Sequence, residues 1–292
     1  MAEKENKCES CSGECDGNCS GNCEGCSGHK KIPYFELNDK SNIKLILGVI
    51  SGKGGVGKSL VTSLLATKLN SLGLKVGVLD ADITGPSMGK SFGIKEKAYQ
   101  DNGLILPHIT KKGIKVITTN MLLENDDDPI VWRGSMISSL IGQFYKDVKW
   151  EKLDVLLIDM PPGTSDVSLT IFQQIPLGGI IMVTTPQDLV SLIVKKSIHM
   201  AETMDIPLLG IVENMSYVVC PNCDEKIYIF GQHSKEELEE KYSYPVLGRI
   251  PFDQDINYLV DNGKIEDFSK DYLDDLAYSI KDLLGEIDYE QF

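Results

Sequence analysis

The sequence predicts an α/β fold, with a mostly parallel central sheet and helices on both faces, preceded by a cysteine-rich extension. Three observations lead there. Short apolar runs rich in Val, Ile and Leu recur from Asn42 to about Ile250 without strict polar alternation, as expected of strands buried on both faces. Longer segments with apolar residues at helical spacing separate them, and strand–helix alternation favours parallel neighbours. The first run also passes through a glycine-rich loop directly into a helical pattern.

Taken in order, the expected strands are Ile43–Ile50, Lys75–Leu79, Ile114–Thr118, Val155–Ile158, Gly179–Thr184, Leu208–Val212 and Val246–Ile250. Leu60, Leu64, Leu65, Leu69 and Leu72 mark a helix after the first. Leu189, Leu192, Ile193, Lys196 and Met200 mark another. The last forty residues read as two helices. In one of them Leu273, Leu276, Ala277, Ile280, Leu283 and Leu284 form an apolar stripe, with Ser269 as the expected N-cap. Residues 42–292 therefore make one α/β domain, residues 31–41 a linker, and residues 1–30 an extension too poor in apolar residues for a core of its own. That extension is expected to be disordered unless metal organises it.

The chain has 292 residues and a net charge of −14. The acid is concentrated at the ends, with −4 in residues 1–28 and −9 in residues 253–292, while the body sits near neutrality. Nucleic acid is thus not an expected partner. The simplest source of the C-terminal charge is the solvated face of a packing helix. Met1–Lys7 is polar and charged with no apolar run behind it, unlike a secretory leader. The most apolar stretch, Val167–Gln187, is broken by Gln, Pro and Gly, so no membrane span is expected. A cytoplasmic location follows, where clustered thiols stay reduced and more often bind metal than form disulfides.

The first apolar run ends in Gly52, Lys53, Gly54, Gly55, Val56, Gly57, Lys58 and Ser59. This is G-x4-G-K-S in a strand–loop–helix context, the phosphate loop of P-loop NTPases. Glycines let successive N–H groups turn toward phosphate, and the helix N-terminus adds its dipole. Lys58 is expected to reach the β- and γ-phosphates of a nucleotide, and Ser59 to ligate Mg²⁺. Asp80, Asp82 and Asp159 close two further strands, where an α/β sheet places its ligands. Asp159 fits the residue that holds Mg²⁺ through water. Asp80 and Asp82 are candidates for positioning the attacking water, or for capping the following helix. Met160–Thr164 reads as a switch segment that moves as a unit.

Cys220 and Cys223 form a second thiol group, C-P-N-C, in a loop after a strand. A tetrahedral sulfur site or an iron–sulfur cluster needs four ligands, and His233 is the nearest further candidate. A two-fold dimer would supply four thiolates on its axis. A redox pair and an inert structural pair are the competing readings.

Lys53, one residue after the first glycine, makes the loop resemble the deviant Walker A class of MinD, ParA, the nitrogenase iron protein and the Mrp-type carriers. In that class this lysine reaches the partner's nucleotide; the alternative is a solvated loop lysine. The rest of the chain narrows the resemblance to the Mrp-type (ApbC-like) iron–sulfur cluster carrier ATPases. It rests on Gly52–Ser59, Asp80–Ser87, Trp132–Gly134, Asp159–Thr164, Thr184–Asp188, Glu213–Tyr217, Cys220–Cys223 and Ile229–Gly231. The resemblance implies an ATP-binding, slowly hydrolysing homodimer that holds a [4Fe–4S] cluster between paired Cys220 and Cys223. It implies transfer of that cluster to apo iron–sulfur proteins, with cluster-assembly scaffold proteins as further partners. It also implies that Asn214 contacts adenine and that Pro251 and Phe252 line the base pocket. Ser135 stands where the family usually has proline, Ser165 where it usually has glycine, and Gln232 and His233 replace a glycine-rich stretch.

Cys8, Cys11, Cys15, Cys19, Cys23 and Cys26 are spaced C-x2-C-x3-C-x3-C-x3-C-x2-C. They supply an N-terminal cluster, a zinc site or a redox-active thiol tail; the spacing does not separate these. Two rival functions share part of the pattern. A ParA/MinD-like positioning ATPase would want a basic DNA surface or a basic C-terminal membrane helix, and the tail is acidic. A thiol-rich metal storage or sensor protein would have no use for Lys58, Ser59 and Asp159.

Overall fold

The computed structural model describes residues 33–82, 85, 87–122, 134–163, 165–231 and 233–290. The six cysteines between Cys8 and Cys26, and Trp132, Arg133, Thr164 and Gln232, lie outside the described residues, as do the expectations placed on them.

In chain order the strands are β1 (Asn42–Ser51), β2 (Val76–Asp80), β3 (Tyr99–Asp101), β4 (Leu104–Leu106), β5 (His108–Ile109) and β6 (Lys115–Ile117). They continue with β7 (Lys152–Asp159), β8 (Gly179–Thr184), β9 (Leu208–Val219), β10 (Lys226–Ile227) and β11 (Val246–Phe252). The helices are α1 (Lys58–Ser71), α2 (Met88–Phe92), α3 (Gly134–Lys146) and α4 (Asp166–Gln174). After these come α5 (Asp188–Thr203), α6 (Lys235–Tyr242), α7 (Gln254–Asp261) and α8 (Asp274–Glu290).

The main sheet runs β10-β9-β8-β1-β7-β2-β6-β5, with β11 also paired to β9. Every pairing among β11, β9, β8, β1, β7, β2 and β6 is parallel. The short strands β5 and β10 add antiparallel edges. The strand that opens the phosphate loop is therefore flanked on both sides, which explains its apolar run. Ile46 and Ile50 face one way with Leu156, Ile158, Ile180 and Met182. Leu45, Leu47 and Val49 face the other with Val155, Leu157, Ile181 and Val183. Residues of α3, α4, α5 and α6 complete the first layer, and residues of α1, α2, α7 and α8 the second. Each fully buried Leu or Ile contributes about 1.5–3 kcal/mol.

Two expectations change in detail. The segment read as a linker is fastened to the domain from Phe35 onward. Phe35 N–H donates to Gln174 O at 2.7 Å, and Asn38 Nδ2 donates to the carbonyls of Lys146 and Val148 at 2.6 and 2.9 Å. Ser269 does not cap the last helix. The chain spends residues 270–272 placing Lys270 and Tyr272 on Asp253, and α8 starts only at Asp274. The stripe itself is buried through Leu273, Leu276, Ala277, Ile280 and Leu284, while Asp275, Asp282 and Glu286 are exposed. Ser165, where glycine is usual, caps α4 by accepting a hydrogen bond from Ser168 N–H at 3.3 Å. Among the described residues no helix is long and apolar enough to cross a membrane.

Candidate functional site

α1 begins without the usual cap. Its N-cap is Gly57 at φ 79°, no side chain accepts from the first N–H groups, and the first turn holds no acid. The helix terminus is left open to an anion. Gly57 cannot carry a side chain, because its Cβ would lie 2.1 Å from Asn214 Nδ2. Gly55, at φ 80°, has nothing within 4 Å on its own side. The glycines thus pack the loop against β9 on one side and leave it open on the other.

A cavity of about 340 Å³ sits over this loop, lined by Ser51, Lys53–Leu60, Asp82, Gly85, Ser87, Ser91 and Pro162, with Asn257 and Val260 from α7. A larger cleft of about 600 Å³ lies beyond α2, between Gly93–Lys97 and Asp261–Gly263, and contains no phosphate-loop residue. It adds volume without the chemistry.

At the floor of the smaller cavity the charged residues meet. Lys58 Nζ lies 2.7 Å from Asp159 Oδ1 and 3.7 Å from Asp82 Oδ2. Ser59 Oγ donates to Asp159 Oδ2 at 2.5 Å, and Thr62 Oγ1 donates to Asp159 Oδ1 at 3.0 Å. Asp159 is fully buried. Asp80 is its cross-strand neighbour, also fully buried, and accepts from Thr118 Oγ1 at 3.0 Å and from Asp82 N–H at 3.2 Å. Burial first, and then the Asp159 carboxylate, push Asp80 up to about 8, with Lys58 pulling against them. Of the two aspartates expected to position water, Asp82 lines the cavity and Asp80 is enclosed behind it. Thr62, one turn beyond Lys58, and Thr118, just after β6, carry no signal of these contacts in the sequence. Nor do Asn257 and Val260, which the fold brings in from two hundred residues away.

The other expected residues lie around this floor. Lys53 Nζ donates to Gln187 Oε1 within the same chain at 2.8 Å. Asn214 is buried and donates through Nδ2 to Val56 O at 2.9 Å. Pro251 and Phe252 end β11, next to Asp253, which caps α7 by accepting from Asp255 N–H at 2.9 Å.

Cys220 and Cys223 occupy the turn between β9 and β10, away from the cavity lining. Cys220 N–H donates to Glu225 O at 2.9 Å, and Asp224 N–H donates to Cys220 O at 3.0 Å. The N–H groups of Asn222 and Cys223, followed by the Cys223 thiol, hold the Cys220 thiol below its ordinary range. Both cysteines are free and neither is fully buried. Among the described residues no group of three or more Cys, His, Asp or Glu is placed to hold a metal ion. The described residues thus offer two thiols here and no completed site.

A parallel sheet, an uncapped helix behind a glycine loop, and a lysine and two carboxylates at the strand ends define a P-loop NTPase. The sequence profile described as the NUBPL iron-transfer P-loop NTPase, of ParA type, matches residues 42–285, and the chain belongs to that family. It is 46% identical over 269 residues to an iron–sulfur cluster carrier protein of Clostridium perfringens, covering 89% of this chain and 94% of the relative. A nucleotide-binding protein of Archaeoglobus fulgidus, solved in complex with ADP, superposes with a TM-score of 0.71 at 43% identity, covering 79% of this chain and 90% of the other. The cell-division ATPase MinD of Pyrococcus furiosus shares the fold, with a TM-score of 0.61 at 22% identity over 82% of this chain and 99% of its own.

Proposed function

We propose that the protein binds and slowly hydrolyses Mg²⁺·ATP. As a homodimer it holds a [4Fe–4S] cluster between paired Cys220 and Cys223 and passes it to apo iron–sulfur proteins. The observation that carries the cluster assignment is the incomplete thiol pair: two accessible thiols, Cys220 predisposed to ionise, with no third ligand placed beside them among the described residues. A two-fold axis through the knuckle turns two ligands into four.

In this reading the P-loop N–H groups and the open α1 terminus take the phosphates. Lys58 exchanges its hold on Asp159 for the β- and γ-phosphate oxygens. Ser59 and Asp159 suit Mg²⁺: a hydroxyl and a buried carboxylate converge, and Asp159 is held by two hydroxyl donors and the Lys58 ammonium, whose place an oxygen-seeking cation can take. When bound, the metal neutralises charge on the phosphates. Asp82, on the cavity wall, orients the attacking water, and Asp80 sets the field behind Asp159. Asn214 fixes the base side of the loop through Val56, with Pro251 and Phe252 beside it. Lys53 leaves Gln187 to reach the partner's nucleotide when the dimer closes. Residues 1–30 form a separate thiol-rich extension.

The test uses full-length protein with the six N-terminal cysteines changed to serine, reconstituted without oxygen. Iron and sulfide near four per dimer, lost in Cys220→Ser and Cys223→Ser, are expected. A chain that retains its cluster after both changes rules the bridging site out.

A further inference from the structure

The carboxylate at the end of β7 is held from α1. Val155 and Leu157 face the α1 layer, so Asp159, two residues further on, points the same way. There it meets three side chains of the first helical turns: the Lys58 ammonium at 2.7 Å, the Ser59 hydroxyl at 2.5 Å and the Thr62 hydroxyl at 3.0 Å. Lys58 and Ser59 also line the phosphate-loop cavity, whose lining on α1 stops at Leu60. Thr62 is fully buried and lies outside that lining, so it acts on the cavity only through another residue.

Thr62 has one hydroxyl hydrogen and two acceptors. Its Oγ1 lies 3.0 Å from Asp159 Oδ1 and 3.0 Å from Lys58 O, the carbonyl four residues back. The second contact is a common way for a threonine to satisfy its hydroxyl inside a helix, and it would explain a buried threonine with no part in function. It does not explain the first. The neighbouring Val61, Leu64, Leu65 and Ala66 are apolar and fully buried, so a valine would fill the same volume if burial were all the position required. Bonding back to the helix also settles which of its two helical rotamers the side chain takes, and in that rotamer Oγ1 meets the carboxylate.

We infer that Thr62 is a positioning residue for the metal site: its hydroxyl keeps the Asp159 carboxylate in its receiving orientation once Lys58 and Ser59 have turned to the nucleotide. In the free chain Oδ1 is shared by the Lys58 ammonium and the Thr62 hydroxyl. When Lys58 moves to the phosphates and Ser59 to Mg²⁺, the Thr62 contact is the one of the three that stays. Its hydrogen then turns from the Lys58 carbonyl to Oδ1 by rotation about one C–O bond, with no heavy atom displaced. The inference rests on the Mg²⁺·nucleotide site proposed above.

The experiment uses full-length, reduced protein kept without oxygen, with Mn²⁺ as the probe. Mn²⁺ favours oxygen ligands over thiols, and its free signal in electron paramagnetic resonance falls on binding. Titrations with and without ADP give the ADP-dependent Mn²⁺ affinity, and calorimetry in EDTA gives the ADP affinity without metal. Thr62→Val should weaken the ADP-dependent Mn²⁺ affinity by about tenfold, while metal-free ADP affinity stays within about twofold of native. Thr62→Ser, which keeps the hydroxyl, should recover the Mn²⁺ affinity to within about threefold. Thr62→Ala is carried alongside and should match Thr62→Val, so that poor folding of one variant does not decide the outcome. Native Mn²⁺ affinity in Thr62→Val and Thr62→Ala overturns the inference. So does an equal loss in Thr62→Ser, which would assign the effect to packing. A native chain that binds ADP without additional Mn²⁺ overturns the metal site and this inference with it; one that binds no ADP overturns the nucleotide site beneath both.

Discussion

Lys58 Nζ rests 2.7 Å from Asp159 Oδ1, with both side chains buried, so the phosphate-loop lysine already partners the carboxylate expected to hold the metal. It is also the cation that offsets the paired burial of Asp159 and Asp80. Lys58→Ala should therefore do two things. ATP turnover should fall by about 10²–10³-fold, the usual loss when one donor to developing charge is removed. The protein should also lose about 3 kcal/mol, because buried carboxylates are left without their counter-charge. Phosphate release and urea unfolding measure the two separately, and unchanged turnover would remove the phosphate-site assignment.

Two loop glycines should respond differently to alanine. Gly57→Ala combines a left-handed backbone with a 2.1 Å approach to Asn214 Nδ2. Gly55→Ala has the backbone strain alone, with open space around it. The second change should cost about 1–2 kcal/mol and the first distinctly more. Chemical denaturation midpoints in the absence of nucleotide give the order, and a reversed order would contradict the packing of β9 on the loop.

Glu213 is almost fully buried. Arg249 Nε donates to its Oε2 at 2.9 Å and Nη2 lies 2.8 Å from the same oxygen as an ion pair, while Oε1 has no hydrogen-bond partner. Arg249→Ala should destabilise the fold by about 3–5 kcal/mol, because the pair's remaining charge is stranded. Combining Arg249→Met with Glu213→Leu should recover most of that loss. Calorimetric melting of the three variants tests the claim; a double variant no better than the single one would show that the pair acts otherwise.

Acid should loosen the C-terminal layer through Asp253. Burial pushes this carboxyl up, but hydrogen bonds from Lys270, Tyr272 and Asp255 N–H outweigh it and hold it below its ordinary 3.8. A group depressed in the folded state stabilises above its unfolded value and loses that contribution as pH falls through the folded one. Asp253→Asn should therefore melt lower than native at neutral pH, and the gap should close as the pH is taken below 3.8. Melting curves across that range check it; a gap that widens in acid would reverse the sign.

How much of this was legible beforehand depends on whether a signal is local. Gly52–Ser59 is one continuous string whose chemistry needs consecutive residues, and Asp159 ends a run that can only be a central strand. The β3–β4 hairpin carries a weaker signal. Asn102 and Gly103, both at positive φ, are a familiar two-residue hairpin turn, but its strands are three residues each, β3 is exposed throughout, and the apolar run of β4 is too short to mark a strand. Thr62 gains its role only when α1 lies against the end of β7, and Thr118 only when β6 pairs with β2. Their hydrogen-bond partners are 97 and 38 residues away. Asn257 and Val260 are similar: nothing in an amphipathic helix near the C-terminus says that it roofs a loop near residue 55. Ser269 failed as a cap because the nearby acid, Asp253, claims the residues that follow it.

β9 carries Asn214, seated under the phosphate loop, and ends one residue short of Cys220. That makes the strand a ruler. Side chains alternate between faces on either side of Met215, whose φ of 57° kinks the strand, so inserting or deleting one residue between the two positions would turn the thiols to the opposite side of the sheet. The interval from Asn214 to Cys220, with the Met215 kink inside it, is thus under as much constraint as the residues at its ends. A related chain could lengthen the loops around the knuckle freely, but not this stretch.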